Sequence, residues 1–159
     1  MTHRLSRSAA IGFAVICFAE AASAESVAGR WKFLTDALPS NGCFISGEMV
    51  MRATAKTNEF VCAFVSQEDC VTFAGVKTFQ RVQQSCTARV SGKSVTISSK
   101  VEKIVDAGPA NLRDRMMQLE TYSPDDFSVE LNTHGELVGL FHSRQQSGVR
   151  FWRDADLVS

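Results

Sequence analysis

The chain has 159 residues, 45% of them hydrophobic, and its 17 basic and 17 acidic residues balance to zero net charge. A near-neutral chain without a basic block offers no electrostatic case for binding nucleic acid or an anionic membrane. No internal repeat, low-complexity tract or interdomain linker divides it, so a single domain is expected.

The first 24 residues read as a secretory signal. Arg4 and Arg7 make a basic start, Ala9 to Phe18 an apolar run, and Ala22-Ser23-Ala24 supplies the small residues that a signal peptidase accepts. A membrane span would need about 20 apolar residues, and Glu20 interrupts this run well short of that. A lipoprotein signal would place Gly, Ala or Ser before Cys17, where the sequence has Ile16. Cleavage leaves 25–159 as the domain and removes Arg4, Arg7 and Glu20, for 15 basic and 16 acidic residues. Secretion, into a bacterial periplasm, is the expected localisation, without stable membrane insertion. Cys43, Cys62, Cys70 and Cys86 then remain, an even number in an oxidising compartment, which points to two disulfides. A zinc site would want close cysteine pairs; here the gaps are much wider.

A period of two dominates the rest of the chain, the pattern of half-buried strands. After a first strand at Val27–Leu34, Met49, Met51, Ala53 and Ala55 alternate with polar residues. The run from Phe60 to Val65 is apolar on both faces, which predicts a strand covered on both sides or in mid-sheet. Val82, Cys86, Ala88 and Val90 alternate with Arg81, Gln83, Ser85, Thr87 and Arg89; Val95, Ile97 and Val101 alternate with Ser94, Thr96, Ser98 and Lys100. Pro109 can open a helix, since its missing N–H would be unpaired there. Leu112, Met116 and Leu119 follow at helical spacing, giving a short helix near 109–119 or, alternatively, a strand through Met116 to Thr121. Ser123-Pro124-Asp125-Asp126 reads as a tight turn. Strands at 127–132, 137–142 and 149–153 complete a count of about eight. Turns are expected at Thr57-Asn58, Ser91-Gly92-Lys93 and Thr133-His134-Gly135-Glu136. The fold expected is all-β, an antiparallel barrel, with a β-sandwich as the alternative.

Hairpin register bears on the disulfides. A turn at Thr57-Asn58 brings Cys43 close to Cys70, and pairing around Ala74-Gly75 sets Cys62 opposite Cys86. These favour Cys43–Cys70 and Cys62–Cys86, with Cys62–Cys70 left open.

Gly29-Arg30-Trp31 on the first strand and Val149-Arg150-Phe151-Trp152-Arg153 on the last resemble the calycin pattern of lipocalins and related small barrels. The resemblance implies that Trp31 closes one barrel end and that Arg150 or Arg153 packs over its ring, a cation–π contact. Small periplasmic inhibitors of proteases and lysozymes use similar short barrels, and Ser147-Gly148-Val149-Arg150 resembles a Ser-Gly-x-Arg-Tyr motif of lysozyme inhibitors.

Catalytic constellations are not evident. A nucleophile needs a base and the base an orienting group, yet after the signal the histidines are His134, in a turn, and His142, at a strand end. Asp125 and Asp126 could bind calcium, but that ion wants six to eight oxygens, so a turn or cap fits them better. Asp114 and Glu120 read as a solvated face. No metal and no cofactor is expected. The expected role is therefore binding without catalysis. One form encloses a small apolar ligand, faced by Met49, Met51, Phe60, Phe64, Phe127 and Phe141. The other docks onto a protein, as a protease or lysozyme inhibitor would, through the stretch Gly108 to Asp126 with Met116, Met117 and Tyr122.

Overall fold

A computed structural model describes residues 27–153. The signal-peptide expectation for residues 1–24 lies outside them. Eight antiparallel strands close into a barrel in simple sequence order: β1 (Gly29–Thr35), β2 (Phe44–Ala53), β3 (Glu59–Val71), β4 (Lys77–Ser91), β5 (Ser94–Gly108), β6 (Asp126–Leu131), β7 (Leu137–His142) and β8 (Gln146–Trp152), with β8 returning to pair with β1. Closure leaves no sheet edge, which removes the β-sandwich alternative.

Alternation decides what fills the barrel. Phe33, Met49, Met51, Phe60, Phe64, Ile97, Phe127, Phe141 and Phe151 all turn inward and are buried. Phe33 stands 5.1–5.8 Å, centroid to centroid, from Phe64, Phe127 and Phe151, edge-on to the first two. Edge-to-face packing of this kind contributes about 0.5–1.5 kcal/mol per pair beyond area burial. Gly47 makes room for it, because a Cβ there would lie 2.6 Å from the Phe33 ring. An eight-stranded barrel has an interior that its own side chains can fill, and here an aromatic cluster occupies its middle.

The end of the barrel that carries Gly29 is closed by Trp31, whose indole N–H donates to the Val27 carbonyl at 2.9 Å. Arg153 lies over the Trp31 ring, 4.3 Å from its centroid, and donates to the Ala28 carbonyl. Of the two arginines, it is therefore Arg153 that packs over Trp31. Arg150 instead pairs with Glu136 at 3.3 Å and sits 5.7 Å from the Trp152 ring on the outer surface.

Two disulfides join Cys43 to Cys70 and Cys62 to Cys86. The ladder explains both: Cys62 faces Cys86 directly, and the β2–β3 register, with Phe44 opposite Asp69, runs one step on to Cys43 opposite Cys70.

Three local expectations are narrowed by the structure. Of the two readings of the apolar run in β3, the mid-sheet one holds, with β3 lying between β2 and β4, while its outer face is not covered, since Val61 is 49% exposed. The short helix expected near 109–119 forms, but as a single turn that starts at Arg113 rather than at Pro109. That turn, α1 (Arg113–Met116), and a 3-10 turn, Leu119–Thr121, are all that forms, and neither buries a residue. Leu112 and Leu119 stay exposed because the segment crosses the barrel mouth without an apolar surface wide enough to seat a helix. Ala53, expected on the inner face of β2, is exposed because the strand ends there.

Candidate functional site

The other barrel end is built from the β1–β2 loop (36–43), the β5–β6 crossing (109–125) and the β7–β8 turn (143–145). Three contacts fasten these segments together. The Ser40 amide donates to Gln145 Oε1 at 2.9 Å, Arg144 Nε donates to Ser123 Oγ at 2.9 Å, and Arg144 Nη2 donates to the Glu120 carbonyl at 3.1 Å. Between them lies a cavity of about 230 Å³. Leu38, Ile45 and Phe141 form its apolar wall; Glu68, Tyr122, Asp125 and Arg144 contribute to the polar side.

At the floor is Asp125, fully buried. Its Oδ2 accepts three hydrogen bonds, from Ser66 Oγ at 2.8 Å, Gln84 Nε2 at 2.6 Å and Tyr122 OH at 2.8 Å. Gln84 Nε2 also donates to Ser66 Oγ, and Gln84 Oε1 accepts from the Asp125 amide, both at about 3 Å. Ser99 Oγ donates to the Asp125 carbonyl at 2.8 Å. The second carboxylate oxygen, Oδ1, is buried and takes no hydrogen bond from the described residues.

Electrostatics follow from that burial. Removal from water pushes the Asp125 carboxyl up to about 7, against the lowering effect of its three donors. Tyr122 is raised by burial and by the neighbouring Asp125 carboxylate. Glu68 is also raised by burial, with the Arg144 guanidinium pulling the other way. A carboxyl raised by burial beside a cavity marks this end of the barrel as the candidate site.

This corrects the reading of Ser123-Pro124-Asp125-Asp126 as a turn. Asp126 opens β6 and accepts from the Ser99 amide at 2.6 Å, whereas Asp125 is the centre of a buried network. The network had a signature that alternation alone carries. Ser66, Gln84 and Ser99 each occupy an inward position on a strand with apolar inward neighbours, and Glu68 on β3 and Gln80 on β4 are further polar residues in phase with them. Polar residues at such positions must find partners, and together they mark a polar layer.

The remaining expected site residues fall in several places. Phe141 lines the cavity. Met49, Met51, Phe60 and Phe127 lie in the packed interior, and Phe64 also borders a groove on the outer wall. Met116 and Met117 are half-buried and Tyr122 turns inward to Asp125, whereas Leu112 and Leu119 are the exposed apolar residues of the crossing. Ser147 is buried and donates to the Asp36 carbonyl at 3.0 Å; Gly148 packs against Asp36 within the barrel wall. His134 is exposed and His142 half-buried. Glu68 lies close to Cys43 and Cys70, but those sulfurs are bonded to one another and supply no thiolate for a metal.

No family model and no curated protein matches the chain. Among solved structures, a de novo designed fluorescence-activating β-barrel resembles it with a TM-score of 0.54 and 14% identity, over 83% of this chain and 97% of that one. At that identity the shared property is the closed eight-stranded barrel. The architecture is calycin-like in this general sense, without a family match that narrows it to lipocalins. No helix among the described residues is long and apolar enough to cross a membrane.

Proposed function

We propose that the chain is a secreted, non-catalytic binding protein that holds one small molecule in the cavity at its loop-bearing end. The observation that carries this reading is Asp125: a buried carboxyl on a cavity wall, with one oxygen held by three donors and the other without one. Burying such a group costs free energy, which a ligand donor would recover. The packed aromatic middle of the barrel directs the ligand to the mouth rather than the axis. At about 230 Å³ the cavity falls below the roughly 300–1,000 Å³ usual for drug-sized ligands, so the molecule is small. The wall is mixed, which calls for an amphipathic ligand rather than the wholly apolar one expected from the strand pattern. Neither histidine lines the cavity, and the two disulfides suit an oxidising compartment.

Native mass spectrometry of the protein purified from its own host tests this. The expected spectrum shows a small-molecule adduct that is lost on unfolding. A bare mass, with no stabilisation by any member of a small-molecule library, contradicts it.

A second reading, docking onto a protein, is favoured by the β3–β4 hairpin tip. Phe73 is fully exposed there, flanked by Val71 and Val76 at 59% and 43%. That role requires a co-purified protein whose retention is abolished by Phe73→Ser.

A further inference from the structure

Resting on the cavity reading above, we infer that the ligand is a small organic monocation: a protonated primary amine on an apolar body, its hydrocarbon part lying against Leu38, Ile45 and Phe141 and its ammonium donating to Asp125 Oδ1, which is covered in the free protein and is reached only when the lining beside it gives way.

The donor arithmetic points there first. Tyr122 OH and Ser66 Oγ each have one proton, and both are directed at Oδ2. Gln84 Nε2 has two, directed at Oδ2 and at Ser66 Oγ. The network therefore has no proton left for Oδ1. An ammonium brings three donors and no acceptor, so it satisfies Oδ1 without stranding a lone pair of its own. Glu68, Thr121 and Ser123 in the same lining carry oxygen acceptors for the remaining two.

Charge selects a cation over a neutral donor. Asp125 and Glu68 bring two acids to the cavity and Arg144 one base. Arg144 directs donors at Ser123 and the Glu120 carbonyl, clasping the rim. With both acids ionised the cavity carries one uncompensated negative charge, held out of water where Coulomb attraction is strong. A divalent metal fits poorly. Such ions want six or more oxygens, and the close grouping of ligand-type residues here joins Glu68 to two half-cystines. The apolar wall, with Leu38, Ile45 and Phe141 all buried, requires a hydrocarbon portion that a bare ion lacks.

Calorimetric titration of the full-length, oxidised protein at about pH 8, where Asp125 is largely ionised, tests the assignment with four probes of one shape. Benzylammonium should bind at a single site. Benzyl alcohol should bind at least tenfold more weakly, benzoate not at all, and trimethylbenzylammonium, which keeps the charge but has no N–H, at least tenfold more weakly than the primary amine. Asp125→Asn, its fold checked by near-UV circular dichroism, should lose at least tenfold for benzylammonium and little for the alcohol. The trimethyl probe tests donation in the unaltered protein, so the result does not depend on that variant folding. Equal affinity for amine and alcohol, or an Asp125→Asn variant that binds the amine unchanged, overturns the cation assignment and leaves a cavity that binds neutral ligands. Binding of none of the four overturns the assignment too, and joined to a bare native mass it also removes the cavity reading.

Discussion

Gln84 grips Asp125 twice: its Nε2 donates to the carboxylate Oδ2 at 2.6 Å, and its Oε1 accepts from the Asp125 backbone amide at 3.0 Å. A residue in the middle of β4 thus fixes both the main chain and the side chain of the last residue before β6, 41 positions away. The crossing segment 109–125 has almost no regular structure of its own, so this reciprocal pair, with Ser66 and Ser99 beside it, ties Asp125 to the barrel wall, next to the Arg144 clasp on Glu120 and Ser123.

Gln84→Leu should therefore destabilise the protein by about 2–4 kcal/mol, because it strands the buried Asp125 amide and removes a donor from Oδ2 at once. Urea denaturation measures this. A loss within about 0.5 kcal/mol, the range of an inconsequential surface change, would mean that the pair does not hold the crossing in place.

The titration of Asp125 sets a pH dependence of definite sign. Burial raises its carboxyl from 3.8 to about 7, so the folded protein holds that proton more tightly than the unfolded chain does. The resulting stabilisation is complete below about pH 4 and is lost as the pH rises towards 7. Over that window Asp125 should remove on the order of 3 kcal/mol. Glu68, also raised, acts in the same direction, so the contribution of Asp125 is read as a difference between proteins. Asp125→Asn keeps an oxygen for the three donors and cannot ionise, and its stability should fall less between those pH values than that of the unaltered chain. Parallel curves for the two proteins would contradict the buried, raised carboxyl.

The closed end makes a sharper distinction between two arginines than sequence allows. Arg153→Ala removes the guanidinium over Trp31 and a hydrogen bond to Ala28, and should cost about 1–2 kcal/mol. Arg150→Ala breaks an exposed ion pair with Glu136, worth about 0–1 kcal/mol. Thermal denaturation of the two variants should rank them in that order.

The disulfides bear on different parts of the molecule. Each closes a loop of similar length, with separations of 27 and 24 residues, so removing either pair by double Cys→Ala substitution should cost about 3 kcal/mol. Their effects on the cavity should differ. Cys43–Cys70 adjoins Asn41, Ile45 and Glu68 on the cavity lining, whereas Cys62–Cys86 bridges two strands of the wall. Ligand affinity should weaken in the Cys43/Cys70 variant and hold in the Cys62/Cys86 variant, as read by titration with benzylammonium.

How much of this was legible in the sequence depends on the range over which each signal acts. Alternation over six to ten residues is local; it identified the strands and the inward Phe60, Phe64, Phe127 and Phe141, though not Phe33 and Phe151, and through hairpin register it favoured the two cysteine pairs that form while leaving Cys62–Cys70 open. The Gly29-Arg30-Trp31 pattern located the closed end, although two arginines competed for its partner and the choice rests on which one tops the Trp31 face across the barrel seam. Asp125 was the main residue misread. Beside Pro124 and Asp126 it has every local mark of a turn, and what buries it are Ser66, Gln84 and Tyr122, brought from β3, β4 and the crossing. No window of sequence contains that convergence. Its trace was the trio of polar residues on inward positions, Ser66, Gln84 and Ser99, whose meaning depends on closure of the barrel. The short helix expected near 109–119 is cut to the single turn Arg113–Met116 for a related reason: the apolar spacing is real, but Leu112 and Leu119 stay exposed over a barrel already filled with phenylalanine.

The carbon-13 resonance of the Asp125 carboxyl, followed by NMR from about pH 3 to pH 9 across the ordinary and raised ranges, is the most direct test of a buried carboxyl that holds a ligand. The predicted result is a midpoint near 7 in the free protein and a clear downward displacement when benzylammonium is added, because the ammonium competes with the proton for Oδ1. A midpoint near the ordinary aspartate value of about 4, or one that saturating amine leaves unmoved, would contradict it.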